Sequence, residues 1–236
     1  IAKGLSGSSV TRVMSSLKAV INFAASELAL ETRNPFIGIY HDRKAGVLDR
    51  KPIPLISIRK IQSQCVKGDD EMRWLAALVS DTGMRLAEAT GLLREDFVHV
   101  EGDLPFIRII PYTWRTLKTE SSKRNVPLVG ASLWAAKRIM SQEPVSRFAF
   151  PRYNKTAITN ANSASAALNK WMKPMIPAGC SMHSFRHSMR DRLRAVQCPA
   201  DIVDQIGGWQ TNGVGHGYGE GYPIEVLHEW LSKVSP

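Results

Sequence analysis

Apolar residues at helical spacing recur along most of this 236-residue chain, and this periodicity limits its fold more than any other feature. A first helix is expected after Ser8-Ser9, with an apolar stripe from Val10 to Leu28. Further helices are predicted over 57–66, 70–80, 85–93, 132–141, 162–172, 184–196 and 199–206, and from about 223. Strand character is confined to 98–100, 106–110 and 125–128, of which the last two can form a hairpin. The sequence therefore predicts a mainly α fold with a small antiparallel β-sheet (α+β).

An unpatterned stretch divides the chain in two. Residues 39–54 are polar and charged, contain one glycine and two prolines, and show no periodicity. We expect a linker at 46–53 between a helical piece over 1–45 and a main domain over 54–236 that ends in a tail helix. Because Ile1 is not an initiator methionine, the chain is expected to be a fragment of a longer one.

The charge of the chain predicts a polyanionic partner. The net charge is +10, the pI is about 9.7, and seven basic residues but one acid lie between Arg108 and Arg138. No apolar run approaches the ~20 residues of a membrane span, and no long basic amphipathic helix is present. Three cysteines without a CxxC pair argue against a disulfide scaffold and fit a reducing cytoplasm.

Two basic motifs can hold or protonate an anion. In Thr82-Gly83-Met84-Arg85-Leu86-Ala87-Glu88, an arginine begins a helix, where free backbone N–H groups favour anions. Lys118 lies in a basic hairpin among hydroxyl groups, where it can act as a mobile cation and proton donor. Taken singly, the first motif is typical of a surface ion pair and the second of a solvated hairpin.

Two further motifs add a histidine–arginine pair and a tyrosine. His183 and Arg186 share a helix face and together with Arg85 can cover a phosphate, so we call these three residues the phosphate clamp. His183 and His187 also have zinc spacing, but the glutamate of HExxH is absent and no third ligand is evident, so no metal is expected. After Gly207-Gly208-Trp209, glycine occupies every second position from 213 to 221 and gives the chain around Tyr218 freedom to move.

In this order and at these spacings, the four motifs resemble the tyrosine recombinase (phage integrase) family from about residue 52 to the end. The family's arginine box is matched by Arg85 and Glu88, its hairpin lysine by Lys118, and its HxxR box by His183 and Arg186, with His187 following. Trp209 matches a position that is histidine or tryptophan in different members. The nucleophile usually falls nine residues later, which selects Tyr218 over Tyr222. Residues 1–45 resemble, less specifically, the end of the family's core-binding domain.

The resemblance implies a DNA recombinase that works without cofactors through a 3′-phosphotyrosine intermediate, for integration or excision of a phage or genomic island. Tyr218 would attack a phosphate held by the clamp, with Trp209 as a further donor or packing residue. Lys118 would protonate the leaving 5′ oxygen, while Glu88 and His187 would support the site. We expect DNA contacts from the following residues: Arg115, Lys123, Arg124 and Arg190.

The expected partners are double-stranded DNA recombination sites, further copies of the chain in a tetramer on that DNA, and accessory DNA-bending proteins of the host or phage. The expected location is the bacterial cytoplasm, at the nucleoid when DNA is bound. Residues 195–236 carry five acids against Lys233 alone, so the tail helix could dock on a basic neighbouring protomer or pack on its own domain.

Two alternatives to a recombinase stay open at this point. A type IB topoisomerase uses similar residues but relaxes DNA alone, and a short catalytic domain with the TGMRLAEATGL box favours the recombinase. A catalytically silent DNA-binding relative would be expected to lose some of the six residues Arg85, Lys118, His183, Arg186, Trp209 and Tyr218. A metal-dependent nuclease is disfavoured because the chain has no carboxylate cluster.

Overall fold

The computed structural model describes residues 4–47, 50–156, 158–209 and 221–235. The chain divides into two compact units, Ile1–Asp49 and Arg50–Pro236. The division falls inside the predicted linker, and Ile53 already belongs to the second unit because its backbone N–H donates to Ser188 Oγ at 2.7 Å. The extent of the linker stays a prediction.

The first unit is built on helix α1 (Gly7–Glu27). Its N-cap is Ser6, whose Oγ accepts from the Ser9 backbone at 3.3 Å, so the expected cap at Ser8-Ser9 is wrong by two residues. The chain then folds back, and Asn34 Nδ2 donates to the Lys18 carbonyl at 3.0 Å. The predicted apolar stripe stays largely exposed, with Val20 at 64% and Leu28 at 67% accessibility, because the described part of this unit contains no second helix for it to pack against.

The second unit contains eight α-helices and three strands among its described residues. Helices α2 to α5 are Leu55–Gly68, Glu71–Thr82, Leu86–Thr90 and Gly130–Ser141. Helices α6 to α9 are Ala161–Met172, Ser184–Ala195, Ala200–Gly207 and Ile224–Ser232. Strands β1 to β3 are Phe97–Val98, Phe106–Ile109 and Arg124–Pro127. The strands form one antiparallel sheet in the order β1-β2-β3, which confirms the predicted fold class.

Helix α3 lies at the centre of this unit and packs against α2, α5 and α7. Its N-cap is Asp70, whose Oδ1 accepts from the Arg73 backbone at 2.9 Å, and the eight residues from Leu75 to Thr82 are all buried. The helix ends at Gly83, which adopts a left-handed φ of 62°. This abrupt end turns the chain directly into the arginine motif.

The sheet positions the loop that carries Lys118. In β2 and β3, Ile107 pairs with Val126 and Ile109 pairs with Arg124, and all four of these residues are buried. Alternation along the strands therefore turns Arg124 inward together with Val126. The predicted hairpin is confirmed, and residues 110–123 connect its strands.

Helix α4 is shorter than the predicted helix over 85–93. It ends at Thr90, and the next residue, Gly91, lies against Arg115, where a Cβ would stand 2.7 Å from Arg115 Cδ. Leu93 then leaves the helical path and forms a bridge with Phe148. The apolar periodicity of this segment therefore continues to Leu93, three residues beyond the end of the helix.

The tail helix α9 packs on its own unit. Leu227 and Leu231 are buried at 1% and 0% exposure, the helix lies against β3, and Arg192 Nε donates to the Val234 carbonyl at 3.0 Å. Of the two alternatives left open by the sequence, the single chain adopts packing in cis. None of the described helices combines the length and the apolar character needed to cross a membrane.

We predict that Gly83→Ala destabilises the protein more than Gly179→Ala, although both glycines have a left-handed φ (62° and 86°). Each alanine meets backbone strain of about 1–2 kcal/mol. Only at Gly83 would the new Cβ also meet Met189 Cβ, at 2.9 Å, whereas the space around Gly179 is open. Overpacking adds roughly 1–3 kcal/mol. Urea unfolding measures both changes, and equal losses would contradict the predicted clash.

Candidate active site

Arg85 is the N-cap of α4 and is held by a glutamate on the same helix. Glu88 Oε2 accepts from the Arg85 backbone N–H at 3.0 Å, and Glu88 Oε1 accepts from Arg85 Nη1 at 2.6 Å. The Glu88 side chain is only 3% exposed, whereas the Arg85 side chain is 22% exposed. The pair is therefore a buried carboxylate that orients a partly exposed guanidinium, not a surface ion pair.

A second arginine completes what we call the Glu88 network, which consists of Glu88, Arg85 and Arg124. Arg124 Nη2 donates to Glu88 Oε2 at 3.1 Å and Arg124 Nε to the Ile206 carbonyl at 2.9 Å, which joins α4, β3 and α8. Burial alone would raise the pKa of Glu88. The Arg124 charge and hydrogen bonds from both arginines outweigh burial and hold the pKa below its usual range.

Arg186 is buried and links the Gly83 turn to the Gly207-Gly208-Trp209 motif. Its Nη1 donates to the carbonyls of Gly83 and Gly207 at 3.1 and 2.5 Å, and its Nη2 to that of Gly208 at 3.2 Å. Burial first, and then the charges of Arg85 and Arg124, lower the pKa of Arg186 to about 9. Arg85 Nη2 also reaches the Gly208 carbonyl, at 3.5 Å. The two clamp arginines thus converge on one backbone oxygen.

The Gly207-Gly208-Trp209 motif has a steric explanation. Gly208 ends α8 with φ 59°, and a Cβ there would lie 2.7 Å from Arg124 Nη1. A Cβ on Gly207 would overlap the Trp209 ring at 1.8 Å. The indole lies against two guanidinium groups, with the Arg186 and Arg190 Cζ atoms 4.4 and 5.1 Å from its ring centroid. Packing on these cations is the observed role of Trp209, and donation by its N–H stays a prediction.

His183 lies at the surface at the start of α7, and its ring centroid is 5.4 Å from that of His187. Although the residue is exposed as a whole, neighbouring atoms partly desolvate the ring. Desolvation first, and then the positive charges of Arg50, His187, Arg186 and Arg85, lower the pKa of His183 to about 4. The imidazole is therefore neutral at pH 7 and able to accept a proton. No group of three or more potential metal ligands occurs in the described parts of the chain.

Lys118 is exposed in the β2–β3 loop, and this loop is tied to the Glu88 network. Ser122 Oγ accepts from Arg85 Nη1 at 2.9 Å and is 2.9 Å from Thr119 Oγ1. Thr119 directly follows Lys118 in the chain. The position of Arg85 and the path of the lysine loop are consequently linked through two hydroxyl groups.

Two of the four predicted DNA-contact residues are placed in the interior, which corrects that part of the prediction. Arg115 donates to the carbonyls of Glu88 and Ile110 at 2.7 and 2.5 Å and is 3% exposed. Arg124 is committed to the Glu88 network, as described above. Neither guanidinium can reach a DNA phosphate, so we reassign both to the scaffold of the site. Lys123 is exposed and Arg190 is partly exposed, so both stay predicted contacts.

Tyr218 lies outside the described residues, but its competitor Tyr222 is described and is held in place. The Tyr222 hydroxyl donates to the Asp201 carboxylate, and this hydrogen bond raises the pKa of Tyr222. Its backbone N–H donates to Gln205 Oε1 at 2.8 Å. A phenol with a raised pKa is harder to ionise, so these contacts disfavour Tyr222 as a nucleophile.

Sequence reasoning missed Gln205 and Ser122, and it misassigned Arg124. For Arg124 a signal existed, since it stands two residues before the apolar Val126 on one strand and so shares its inward face. No local pattern marks Gln205 or Ser122, because their partners Tyr222 and Arg85 are 17 and 37 residues away.

The helical fold with a three-stranded sheet thus carries two arginines that converge on one carbonyl and an exposed histidine at the start of α7. Such cationic groups are typical of a site that binds a phosphate. The sequence model of the Phage integrase family matches residues 57–218. The chain belongs to that family and is a site-specific tyrosine recombinase. A comparison with curated proteins found no match.

Solved structures share the fold at low sequence identity. The integrase of transposon Tn1549, in complex with transposon right end DNA, is 20% identical with a TM-score of 0.60, over 89% of this chain and 73% of that one. The integrase of mycobacterium phage Brujita is 15% identical with a TM-score of 0.56, over 94% and 70%. A lambda integrase dimer bound to a COC′ core site is 12% identical with a TM-score of 0.55, over 87% and 71%.

We predict that Glu88→Gln lowers the free energy of unfolding by about 3–5 kcal/mol, because it leaves two arginines without their buried counter-charge. The matched control Glu229→Gln breaks an exposed pair, Lys233–Glu229 at 2.7 Å, and should cost less than about 1 kcal/mol. Urea unfolding at pH 7 measures both. Equal effects would contradict the structural role of the Glu88 network.

The pH dependence of that difference follows from the lowered pKa of Glu88. A lowered folded-state pKa contributes stability that is complete above the ordinary glutamate pKa of about 4.3 and is lost as the pH falls through the folded value. The gap between wild type and Glu88→Gln should therefore be constant from neutral pH to about 5 and shrink at lower pH. A gap that widens on acidification would contradict the direction of the shift.

Proposed function

We propose that Tyr218 cleaves DNA by attacking a phosphate held by Arg85, Arg186 and His183. The observation that carries this proposal is the convergence of Arg85 and Arg186 on the Gly208 carbonyl, at 3.5 and 3.2 Å. Two cations directed to one point can stabilise the charge that develops on the phosphate oxygens. Trp209, nine residues before Tyr218, packs against Arg186 next to this carbonyl.

The chemical step balances without a metal or nucleotide. The Tyr218 oxygen attacks phosphorus in line while the bond from phosphorus to the 5′ oxygen breaks. His183, neutral at pH 7, takes the phenol proton, and Lys118 protonates the leaving 5′ oxygen. The product is a 3′-phosphotyrosine and a free 5′-hydroxyl. Attack by the 5′-hydroxyl of a partner strand reverses these transfers and reseals the DNA.

The other site residues act by position. Glu88 fixes Arg85 through both its backbone and its guanidinium, as its two hydrogen bonds at 3.0 and 2.6 Å support. Trp209 limits the tilt of Arg186 by packing on it. His187, whose ring centroid lies 5.4 Å from that of His183, supports the position of the His183 ring through this edge contact.

Double-stranded DNA is the proposed substrate, and its phosphates are the proposed main contacts. The net charge of +10 and the exposed Lys123 support this, as do the Tn1549 and lambda integrases, which are described in complexes with DNA. Assembly into a tetramer, accessory DNA-bending proteins and a cytoplasmic, nucleoid-bound location stay predictions. A silent DNA-binding relative and a topoisomerase are not favoured.

A covalent-adduct experiment tests the nucleophile. The full chain is incubated with a pool of nicked duplexes that have a randomised core, and SDS-resistant adducts are isolated and sequenced. The enriched duplex then serves as the probe. We expect the adduct with wild type and with Tyr222→Phe, and none with Tyr218→Phe. An adduct that persists in Tyr218→Phe and disappears in Tyr222→Phe would overturn the assignment.

The lowered pKa of His183 predicts an unusual pH profile. Only the neutral imidazole accepts a proton, and kcat/KM reports the ionisation of the free enzyme. With a pKa of about 4, adduct formation should keep its kcat/KM between about pH 7 and pH 5. An ordinary histidine with a pKa of about 6.5 would give a fall of about 25-fold between pH 7 and pH 5. Such a fall, with the protein still folded, would contradict the assigned state of His183.

A further inference from the structure

We infer that Gln205 is a positioning residue for cleavage, because it fixes the chain at Tyr222, four residues after Tyr218. This inference rests on the proposed function. Gln205 Nε2 donates to the Tyr222 carbonyl at 2.9 Å, and Gln205 Oε1 accepts from the Tyr222 backbone N–H at 2.8 Å. One side-chain amide thus satisfies both backbone groups of one residue, as a neighbouring strand would. We call this pair of hydrogen bonds the Gln205 clasp.

Two further contacts fit the clasp. Asp201 accepts from the Tyr222 hydroxyl, and since Asp201 and Gln205 are four residues apart they share one face of α8. Gly221 has φ 81°, and a Cβ there would lie 2.9 Å from Gln205 Oε1. A larger residue at position 221 would push the amide away, so a glycine is required beside the clasp.

Chain length makes the clasp relevant to Tyr218. Upstream, the backbone N–H of Trp209 donates to the Asp204 carbonyl at 3.0 Å. Helix α8 therefore holds the described residues on both sides of 210–220. An extended chain spans at most about 3.6 Å per residue. Tyr218 can therefore lie up to about 32 Å from Trp209 but only about 14 Å from Tyr222. The downstream attachment is the one that limits where Tyr218 can be.

The same helix carries the oxygen atoms that organise the phosphate clamp. Gly207 and Gly208, at the end of α8, provide the carbonyls that bind Arg186. Gln205 precedes them by two and three residues, so the clasp ties the nucleophile's segment to the element that positions the clamp arginine. Reaction rates respond steeply to such geometry, since a misplacement of about 1 Å can cost about a hundredfold.

Gln205→Ala should slow adduct formation about tenfold at saturating DNA, while the DNA concentration that gives half the maximal rate stays unchanged. The probe is the nicked duplex selected above, and single-turnover kinetics measure both quantities. Gln64→Ala is the matched control, since Gln64 is exposed on α2, and it should leave both values at the wild-type level. A role in stability alone would not separate rate from affinity in this way.

Gln205→Glu tests the clasp with a side chain of nearly the same shape. It keeps an acceptor for the Tyr222 N–H but turns an oxygen toward the Tyr222 carbonyl, so it should be as slow as Gln205→Ala. Tyr222→Phe keeps both backbone bonds and should stay within about threefold of wild type. Without DNA, hydrogen exchange of the Tyr222 amide should quicken in Gln205→Ala, which removes its acceptor, and not in Gln64→Ala.

The outcomes separate this inference from the proposed function. An adduct that persists in Tyr218→Phe refutes Tyr218 as nucleophile whatever Gln205 does. If Tyr218→Phe abolishes the adduct but both folded Gln205 variants react at the wild-type rate, the inference is overturned. A loss confined to DNA affinity or to melting temperature would overturn it as well. If Gln205→Ala does not fold, the kinetics of Gln205→Glu decide.

Discussion

The buried carboxylate of Glu88 is the interaction on which the rest of the site depends. It lies in the interior at 3% exposure and is shared by Arg85 and Arg124. An isolated carboxylate would be costly there, so the two guanidinium groups and the carboxylate require one another. Through Arg124 the network reaches the end of α8, and through Arg85 it reaches the loop of Lys118. Elements distant in the chain are thereby held in one arrangement.

The arrangement leaves each clamp residue in a different electrostatic state. Arg186 is buried and bound to three carbonyls, whereas Arg85 is partly exposed and His183 lies at the surface with a partly desolvated ring. A fixed cation and an accessible cation therefore converge on one backbone oxygen before any substrate binds. Such preorganisation reduces the reorganisation needed when charge develops on a phosphate.

Much of this architecture was predictable from the sequence. The strongly periodic helices were placed within a few residues, and the order and spacing of four weak motifs identified the family. Those motifs work because each combines a local turn signal, such as Gly83 or Gly208, with a charged or aromatic residue. Sequence also marked Arg85 and Arg186, whose guanidinium groups both reach the Gly208 carbonyl.

The remainder depended on contacts that no local pattern contains. Arg115 and Arg124 were predicted to contact DNA, but they bond to Glu88, 27 and 36 residues away. The apolar stripe of α1 predicted a buried face, yet Val20 in that stripe stays 64% exposed since its unit contains no second described helix. In each case the sequence shows the charge or hydrophobicity of the residue. Whether that residue is buried or exposed depends on the residues packed against it, which the local sequence does not show.

The central claim is that Arg85, Arg186 and His183 hold a phosphate in line with Tyr218. A structure of the protein with vanadate and two DNA fragments that meet at the selected cleavage site tests it most directly, because vanadate takes the five-coordinate shape of the phosphoryl-transfer transition state. We expect vanadate to lie against Arg85, Arg186 and His183, with the Tyr218 oxygen at one apex and the 5′ oxygen at the other. A Tyr222 oxygen at the apex, or vanadate bound away from both arginines, would contradict the account.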